Sequence, residues 1–406
     1  MSGAGQDRIK GLRFAGIRTL GDVRLNLNNG LSVLIGENGA GKSTIVEACA
    51  LLTNIPSGHF GQRFFQIHSG MGALRRRGAK SIAVEVCVGG GGPDLRYSFE
   101  LSGGLGAVSV DSEELLRVDR RPTDPGGIVL RRNRADARVF QTGQDDMIVT
   151  PQGDEFAVAD PAFRTTPDVL RMLSVLGSVD VQVPFGVLPS WVAREKGIDS
   201  PMRESTILQR ASRLDRLGTN LPNAYWALQN DFGKAHWDET LDVIRLGLGS
   251  ALEQVVLQPD AAGGSIAIAL DYRGWGRVPV VSLSDGQLAF LALVAVYRLQ
   301  GSRSLLVFDE PDLHLHPRLL RRVVLFFEEL ALTCPIVITT HSDVLLDALA
   351  EPAKSVVLCE LDEERATHLR RVDDSALQRW LQDYRGLGDV RSAGHEESVF
   401  AEADGG

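Results

Sequence analysis

The order of apolar and polar positions predicts that the chain begins with strands and then passes through a glycine-rich loop into a helix. Residues 23–27 alternate between apolar and polar side chains, which is the period of a strand with one buried face. Residues 31–35 form a compact apolar run that ends at Gly36, as a buried central strand does. The apolar spacing over residues 44–52 then predicts a helix.

The middle of the chain separates into a strand-rich part and a helical part. Between about residues 80 and 160, alternating stretches are divided by turn-rich breaks, which predicts an antiparallel β-arm set into the first half. Residues 169–176, 201–217 and 221–257 carry apolar residues at helical spacing and predict a helical lobe. No heptad pattern continues for the several repeats that a long coiled coil requires.

The last third of the chain returns to buried strands and helices. The pattern predicts strands at 266–270, 305–308, 336–339 and 356–359, and helices at 288–299, 318–332 and 374–384. Residues 386–406 are predicted to form a mobile tail. The interleaving of strands and helices indicates an α/β fold with a mixed or parallel central sheet.

Composition adds the expectation of a cytoplasmic protein without a membrane segment. The 406 residues are 44% hydrophobic and 23% charged, as in ordinary globular proteins. No apolar run reaches the ~18–20 residues of a membrane span, and the polar N-terminus is unlike a signal peptide. Four scattered cysteines without CxxC spacing are typical of buried thiols in a reducing compartment. With a net charge of -9, any nucleic-acid site must be a local basic patch.

A phosphate-binding motif follows the first buried strand. Residues 36–43, Gly-Glu-Asn-Gly-Ala-Gly-Lys-Ser, fit the pattern GxxxxGK followed by Ser or Thr, between a predicted strand and a predicted helix. Glycines let backbone amides surround phosphate oxygens, and the helix adds its positive end. Lys42 is expected on the β and γ phosphates and Ser43 on Mg²⁺. The predicted nucleotide contacts in this loop are Gly36, Asn38, Gly39, Ala40, Gly41, Lys42, Ser43 and Thr44.

Two carboxylates follow the predicted strand at 305–308. Asp309 and Glu310 stand at the carboxyl end of a buried strand, where doubly wound sheets bind their ligands. On its own such a pair is often a solvated cap. Together with the phosphate loop, it predicts that Asp309 holds Mg²⁺ through water and that Glu310 orients or deprotonates the attacking water.

Two further motifs carry the resemblance to a known family. Residues 283–287, Leu-Ser-Asp-Gly-Gln, open an apolar helix with Ser284 as a good N-cap. His341 follows the strand at 336–339. In this order, with the phosphate loop and the Asp-Glu pair, the motifs resemble those of ABC-type ATPases.

The resemblance implies a site that two subunits build together. Ser284, Gly286 and Gln287 of one subunit would close over the nucleotide held by the other subunit's phosphate loop, with the helix N-terminus at the γ-phosphate. His341 would be the switch histidine that contacts the same phosphate. The implied cofactors are ATP and Mg²⁺, and the implied assembly is a homodimer through shared ATP sites.

Within that family the chain is similar to the SMC/RecF-like branch and its compact OLD-like "predicted ATPase" relatives, over residues 11 to about 361. The N-terminal strands run directly into GENGAGKS, and the Asp-Glu strand continues as Glu-Pro-Asp-Leu-His-Leu-His-Pro at 310–317. Residues 313–316 occupy the place of the D-loop. The kinship implies a role in antiviral defence or DNA repair, with a nuclease or toxin as effector.

Three assignments stay open in the sequence. The histidines at 314, 316 and 341 are also compatible with a metal site. The arginine clusters at 75–77, 120–121, 131–134 and 321–322 are either solvated faces or, where they converge in a dimer, contacts to DNA phosphates. The glutamine of the Q-loop is not placed, and the candidates are Gln66, Gln141, Gln144, Gln152 and, as the favourite, Gln182.

These observations predict an ATP hydrolase that acts as an ATP-gated dimeric switch in a DNA-related or antiviral-defence system. The expected catalytic residues are Glu310, His341 and Lys42. The alternatives are the motor subunit of an ABC transporter, and a scaffold that binds ATP and restrains a toxic effector with little turnover. The predicted organisation is phosphate loop and arm in 1–185, helical lobe in 186–260, the remaining motifs in 261–385, and the tail in 386–406.

Overall fold

The structure is a computed structural model that describes residues 6–68, 70–104, 106–124, 126–140, 145–182, 201–259 and 264–400. The strands are β1 (Arg8–Ile17), β2 (Leu20–Asn26), β3 (Leu31–Ile35), β4 (Ile82–Gly89), β5 (Leu95–Ser102), β6 (Ser109–Arg117), β7 (Ile128–Asn133), β8 (Ala137–Val139), β9 (Met147–Val149), β10 (Val179–Gln182), β11 (Thr206–Ile207), β12 (Leu252–Pro259), β13 (Ser265–Tyr272), β14 (Gly276–Pro279), β15 (Leu305–Phe308), β16 (Ile336–Thr339), β17 (Val356–Leu361) and β18 (Thr367–Arg371).

The α-helices of the described residues are α1 (Lys42–Asn54), α2 (Phe60–His68), α3 (Met71–Leu74), α4 (Pro167–Gly177), α5 (Leu221–Asn230), α6 (Lys234–Leu248), α7 (Asp285–Arg298), α8 (Pro317–Ala331), α9 (Asp343–Ala348), α10 (Pro352–Ser355), α11 (Asp374–Trp380) and α12 (Leu387–Ser392). None of them combines the length and the apolar character that crossing a membrane demands.

The chain divides into two compact units. The first contains Met1–Val181, Arg303–Val307 and Ala331–Gly406, and the second contains Gln182–Ser302 and Phe308–Leu330. The last residues of β10 and β15 therefore belong to the second unit.

The first unit contains an eight-stranded antiparallel sheet in the order β2-β1-β4-β5-β6-β7-β8-β9. The stretch predicted as an arm set into the first half is antiparallel, and its strand β4 pairs with β1 along residues 8–15, so that the two strands share one buried face. The sequence pattern did not indicate β6, since its inward-facing positions include the carboxylate of Glu113, which is only 1% exposed.

The second sheet of this unit carries the phosphate loop. Its order is β10-β15-β16-β3-β17-β18, with β3 parallel to both of its neighbours and β18 antiparallel to β17. Every residue of β3 is buried, as its uninterrupted apolar run predicts. The segments that follow β3, β16 and β17 leave from the same edge of the sheet. The α/β fold with a mixed central sheet is thus confirmed.

The second unit combines helices with a small sheet in which β13 pairs with β11, β12 and β14. Its centre is α7, which is buried from Leu288 to Val296. The hydroxyl of Tyr225 in α5 donates a hydrogen bond of 3.0 Å to the carbonyl of Leu291 in α7. The helices predicted between residues 221 and 248 are present.

Two helical predictions in this unit are wrong. Residues 201–217 form a short 3-10 turn at Pro201–Arg203, then β11 and irregular chain. The side chain of Asn223 bonds the carbonyl of Ile207 and the amide of Gln209, which satisfies the backbone outside a helix. Residues 252–257 belong to β12, because Gly249 at φ 104° ends α6 and the β-branched pair at 255–256 joins β13.

The predicted mobile tail is wrong for residues 386 to 400. Helix α12 packs against α9, with Leu387, Val390 and Val399 fully buried. Val372 forms an antiparallel bridge with Phe400, which fixes the end of the described chain. The glycines and charges between these apolar residues hid the packing from the sequence pattern.

Candidate nucleotide-binding site

The loop between β3 and α1 has the backbone conformation that its glycines predict. Gly36, Gly39 and Gly41 have φ angles of 137°, 85° and 102°, which L side chains rarely adopt. A Cβ on Gly36 would lie 2.1 Å from the carbonyl oxygen of Cys359, whereas a Cβ on Gly39 would meet nothing within 4 Å. The loop is therefore wedged against β17 at its start and open at Gly39, where a ligand can approach the backbone.

Lys42 already sits among loop oxygens. The side chain is buried at 5% exposure, and its ammonium donates to the carbonyl of Gly36 at 2.8 Å and of Glu37 at 2.9 Å. Next to it Ser43 is exposed in the first turn of α1, and Thr44 is buried. A cation, an exposed hydroxyl and a helix N-terminus therefore meet at one loop, and these residues fit a triphosphate with its Mg²⁺.

Two threonine hydroxyls hold this loop from behind. Thr367 Oγ1 donates to the carbonyl of Ala40 at 3.0 Å and lies 2.9 Å from Thr19 Oγ1. Since one hydroxyl has a single proton, Thr19 must donate to Thr367. A Cβ on Gly41 would lie 2.4 Å from Thr367 Oγ1, so the contact is close. The motif gave no sign of either threonine, because both lie outside it in sequence.

A cavity of about 560 Å³ opens beside the loop. Within the first unit it is lined by Gly36, Glu37, Asn38, Ala40, His341, Leu358, Cys359, Glu360, Leu361, Arg391 and Glu396. His341 arrives there because β16 runs parallel to β3, and the amide of Thr340 donates to the carbonyl of Leu34 at 3.1 Å. The structure therefore brings the predicted switch histidine to the phosphate loop. The volume of the cavity suits a small-molecule ligand.

Asp309 and Glu310 follow β15 directly and are half-buried. Glu310 has φ 45°, a conformation that costs a non-glycine residue free energy and is concentrated at functional sites. The amide of Asp309 donates to the carbonyl of Gln182 at 3.0 Å. The backbone of the acidic pair is thus fixed to the end of β10.

Gln182 is the Q-loop candidate that the structure brings to the acidic pair. Its side chain is fully buried and donates through Nε2 to the carbonyl of Leu214 at 3.1 Å. Gln66 lies in α2 and Gln152 in the first unit, while Gln141 and Gln144 lie outside the described residues. The assignment of the Q-loop stays a prediction.

The predicted signature segment caps α7. Ser284 Oγ accepts from the amide of Gln287, and Gln287 Oε1 accepts from the amide of Ser284 at 2.8 Å, which completes a capping box. Gln287 Nε2 also donates to the hydroxyl of Tyr272 at 3.2 Å. The guanidinium of Arg203, only 5% exposed, donates to the carbonyl of Leu283 and to Asp285, both at 2.7 Å. These contacts fix the helix N-terminus.

A second cavity, of about 630 Å³, lies at this helix N-terminus. Within the second unit it is lined by Gly247, Leu248, Ser284, Asp285, Gly286, Gln287, His314, His316 and Leu319. A Cβ on Gly286 would lie 2.7 Å from the carbonyl oxygen of His314, so the signature and the predicted D-loop touch through a position that requires glycine. His314 itself has φ 67°.

Two observations bear on the metal and DNA interpretations. Across the described ranges, no group of three or more His, Cys, Asp or Glu side chains is arranged to hold a metal ion. Arg132 is buried in an ion pair with Glu113, and Arg131 and Arg134 pair with Glu114 and Asp111. All three arginines therefore pair with carboxylates of β6, but only Arg132 is buried, since the side chains of Arg131 and Arg134 are 46% and 75% exposed.

Two protein-family models match the chain. Residues 190–347 match the model described as "AAA domain, putative AbiEii toxin, Type IV TA system", and residues 12–92 match one described as "AAA domain". The Septu protein PtuA of Bacillus thuringiensis is 27% identical over 109 residues, which make up 25% of this chain and 27% of that protein. The chain therefore matches only about a quarter of the length of this relative.

Two solved structures are similar at low identity. The SmcHead bound to the C-winged helix domain of ScpA is 14% identical with a TM-score of 0.48, covering 91% of this chain and 99% of that one. The SMC head domain from Thermotoga maritima is 15% identical with a TM-score of 0.44, covering 90% and 99%. The two AAA-domain matches, each over less than half of the chain, agree with the nucleotide-binding ATPase domain that the ordered motifs and the phosphate loop between β3 and α1 indicate.

Proposed function

We propose that the chain is a Mg²⁺-dependent ATP hydrolase that works as an ATP-gated dimeric switch. The observation that carries this proposal is the phosphate loop, with three glycines at positive φ, a buried Lys42 among loop carbonyls, and an exposed Ser43 at the start of α1. Such a loop offers backbone amides, a cation and a hydroxyl to one triphosphate.

In this proposal each residue has one task. Lys42 binds the β and γ phosphates, while Ser43 and Asp309 hold Mg²⁺, which neutralises phosphate charge when bound. Glu310 accepts a proton from the attacking water, and its strained backbone suits a residue held in one orientation. His341 donates a hydrogen bond to the γ-phosphate from its place on the phosphate-loop cavity.

The second subunit supplies Ser284, Gly286 and Gln287. The N-terminus of α7, a helix of 14 residues, borders an open cavity, and its positive end suits the γ-phosphate of a nucleotide bound by the partner. ATP then joins the two subunits, and hydrolysis releases them.

We further propose that the switch serves an antiviral-defence or DNA-related system together with an effector protein. The toxin–antitoxin wording of the matched family description and the similarity to a Septu protein support this context. The same wording also supports the scaffold alternative, in which bound ATP restrains a toxic partner with little turnover. A measured turnover number separates these two, and co-purification with a membrane permease would instead favour the transporter motor.

Mixing two inactive variants tests the shared site. Lys42→Ala disables the phosphate loop and Ser284→Arg blocks the signature, so each variant alone should lose hydrolysis. A mixed dimer should regain about one working site, because one intact loop faces one intact signature.

The matched control is a mixture of Lys42→Ala with Glu310→Gln, in which both defects belong to the same half of the site. That mixture should stay inactive. If the first mixture shows no recovery of phosphate release, the shared site is contradicted.

A further inference from the structure

The cavity beside the phosphate loop has a wall that the proposed function does not use. Arg391 and Glu396, from the segment after α11, line it together with His341 and the loop residues. Both belong to the stretch that the sequence predicted to be a mobile tail. Arg391 is the arginine among the lining residues, which also include the carboxylates of Glu37, Glu360 and Glu396.

The segment is held in place by the helix that follows the switch histidine. Asp343, two residues after His341, accepts from Arg391 at 2.9 Å and from the hydroxyl of Ser392 at 2.8 Å. The amide of Asp389 donates to the carboxylate of Asp347 at 3.1 Å. Switch histidine and C-terminal segment are therefore linked through one short helix, α9.

Glycine permits this close approach. A Cβ on Gly388 would lie 2.2 Å from the carbonyl oxygen of Asp343, and one on Gly386 would lie 2.5 Å from the carboxylate of Asp347. With Leu387 and Val390 fully buried, the segment is built into the unit. Arg391 is consequently held at the cavity by the packing of the residues that precede it in sequence.

The guanidinium of Arg391 is held by two carboxylates. It is 20% exposed, with one terminal nitrogen on Asp343 and Nε 3.3 Å from Glu396. A guanidinium has five N–H donors in a plane, and this geometry matches phosphate oxygens. Held by two carboxylates, it keeps its orientation while a third acceptor enters from the cavity.

We propose that Arg391 binds phosphate oxygens of the nucleotide, so that the C-terminal segment is part of the ATP site and responds to its occupancy. This inference rests on the proposed function, since it requires a nucleotide in the cavity. A bound phosphate adds a third acceptor to the two carboxylates that already hold Arg391. Nucleotide binding thus changes the contacts of the segment, from which a partner protein can read the state of the site.

Affinity measurements test the contact. Arg391→Gln should bind MgATP at least tenfold more weakly than the wild-type chain in calorimetry, and magnesium tripolyphosphate should show the same loss. Arg391→Lys should recover part of the affinity, because the charge remains without the fork. Arg385→Gln, an exposed arginine six residues earlier that does not line the cavity, is the matched control and should bind normally.

The outcomes separate the inference from the proposed function. If the wild-type chain itself binds no MgATP, the proposed function fails, and this inference with it. If the wild-type chain binds and Arg391→Gln binds equally well, only the inference is overturned. A lower melting temperature of Arg391→Gln with unchanged affinity for MgATP would mean that the ion pair is purely structural. A loss of affinity for ATP without a loss for tripolyphosphate would mean that Arg391 contacts the ribose or the base. Either result overturns the inference.

A second measurement uses the wild-type chain and does not depend on the folding of a variant. MgATP should slow tryptic cleavage after Arg391 more than cleavage after Arg385, because only the former is engaged by the ligand. Equal protection of the two bonds would overturn the proposal. Mass spectrometry of the fragments gives the ratio directly.

Discussion

Removing the Thr367 hydroxyl, which donates a hydrogen bond to the phosphate loop, should weaken nucleotide binding without changing any residue of the motif. Thr367→Val replaces the hydroxyl with a methyl group of nearly the same shape. The residue is 2% exposed, and its Oγ1 bonds the buried carbonyl of Ala40 at 3.0 Å. The substitution thus removes a partner from a loop carbonyl that water cannot easily reach.

The size of the effect follows from that buried acceptor. A buried polar group that loses its partner costs about 1–3 kcal/mol. Thr19 is half-buried and its hydroxyl turns to water, so it adds little. If the loop relaxes when no nucleotide is bound, the cost falls on nucleotide binding, and the affinity for MgATP drops about 5–150-fold. If it does not relax, the cost falls on the free energy of unfolding, so the two losses together should reach about 1–3 kcal/mol.

Urea denaturation and calorimetric titration with MgATP measure the two parts. Thr367→Ser is the matched control, since it keeps the hydroxyl while losing a buried methyl worth roughly 0.8 kcal/mol. Its affinity should therefore stay near that of the wild-type chain even if its stability falls. A combined loss below about 0.5 kcal/mol for Thr367→Val, which is the least that a typical hydrogen bond contributes, would refute the reasoning. So would an equal loss of affinity in Thr367→Ser.

Two other predictions concern the arm and the cysteines. Glu113→Gln should lower the free energy of unfolding by about 3–5 kcal/mol, because the buried guanidinium of Arg132 loses the charge of its partner. Glu114→Gln, in the exposed pair with Arg131, should lower it by at most about 1 kcal/mol. Similar losses for the two variants would contradict this reasoning. Burial raises the pKa of the thiols of Cys49, Cys334 and Cys359 to about 12, so iodoacetamide at pH 8 should label the half-buried Cys87 first, and earlier labelling of Cys359 would contradict the assigned burial.

The sequence predicts those parts of the chain whose structure is decided locally. The strands at 31–35, 305–308 and 336–339 have the predicted bounds, because uninterrupted apolar runs between polar turns leave few alternatives. The phosphate loop is equally local, since its glycines, lysine and helix start lie within eight residues. The roles assigned to Glu310, His341 and the signature residues stay predictions.

What the sequence misses depends on contacts between distant residues. Thr19 and Thr367 are 348 positions apart, and neither belongs to a motif. Strand β12 reads as a helix because Leu252, Val255 and Val256 also fit helical spacing, and only pairing with β13 decides between the two. Arg391 reaches the cavity because the segment that contains α12 packs on α9, and no periodic pattern in the sequence indicates this contact.

The mass of Glu310→Gln in solution tests the shared site most directly. Without the carboxylate that activates water, MgATP should persist and hold two chains together, so light scattering at saturating MgATP should give twice the mass of one chain. Adding Ser284→Arg to the same chain should return it to a monomer. A mass of one chain under all nucleotide conditions, at high protein concentration, would contradict the proposal that two copies grip the nucleotide jointly.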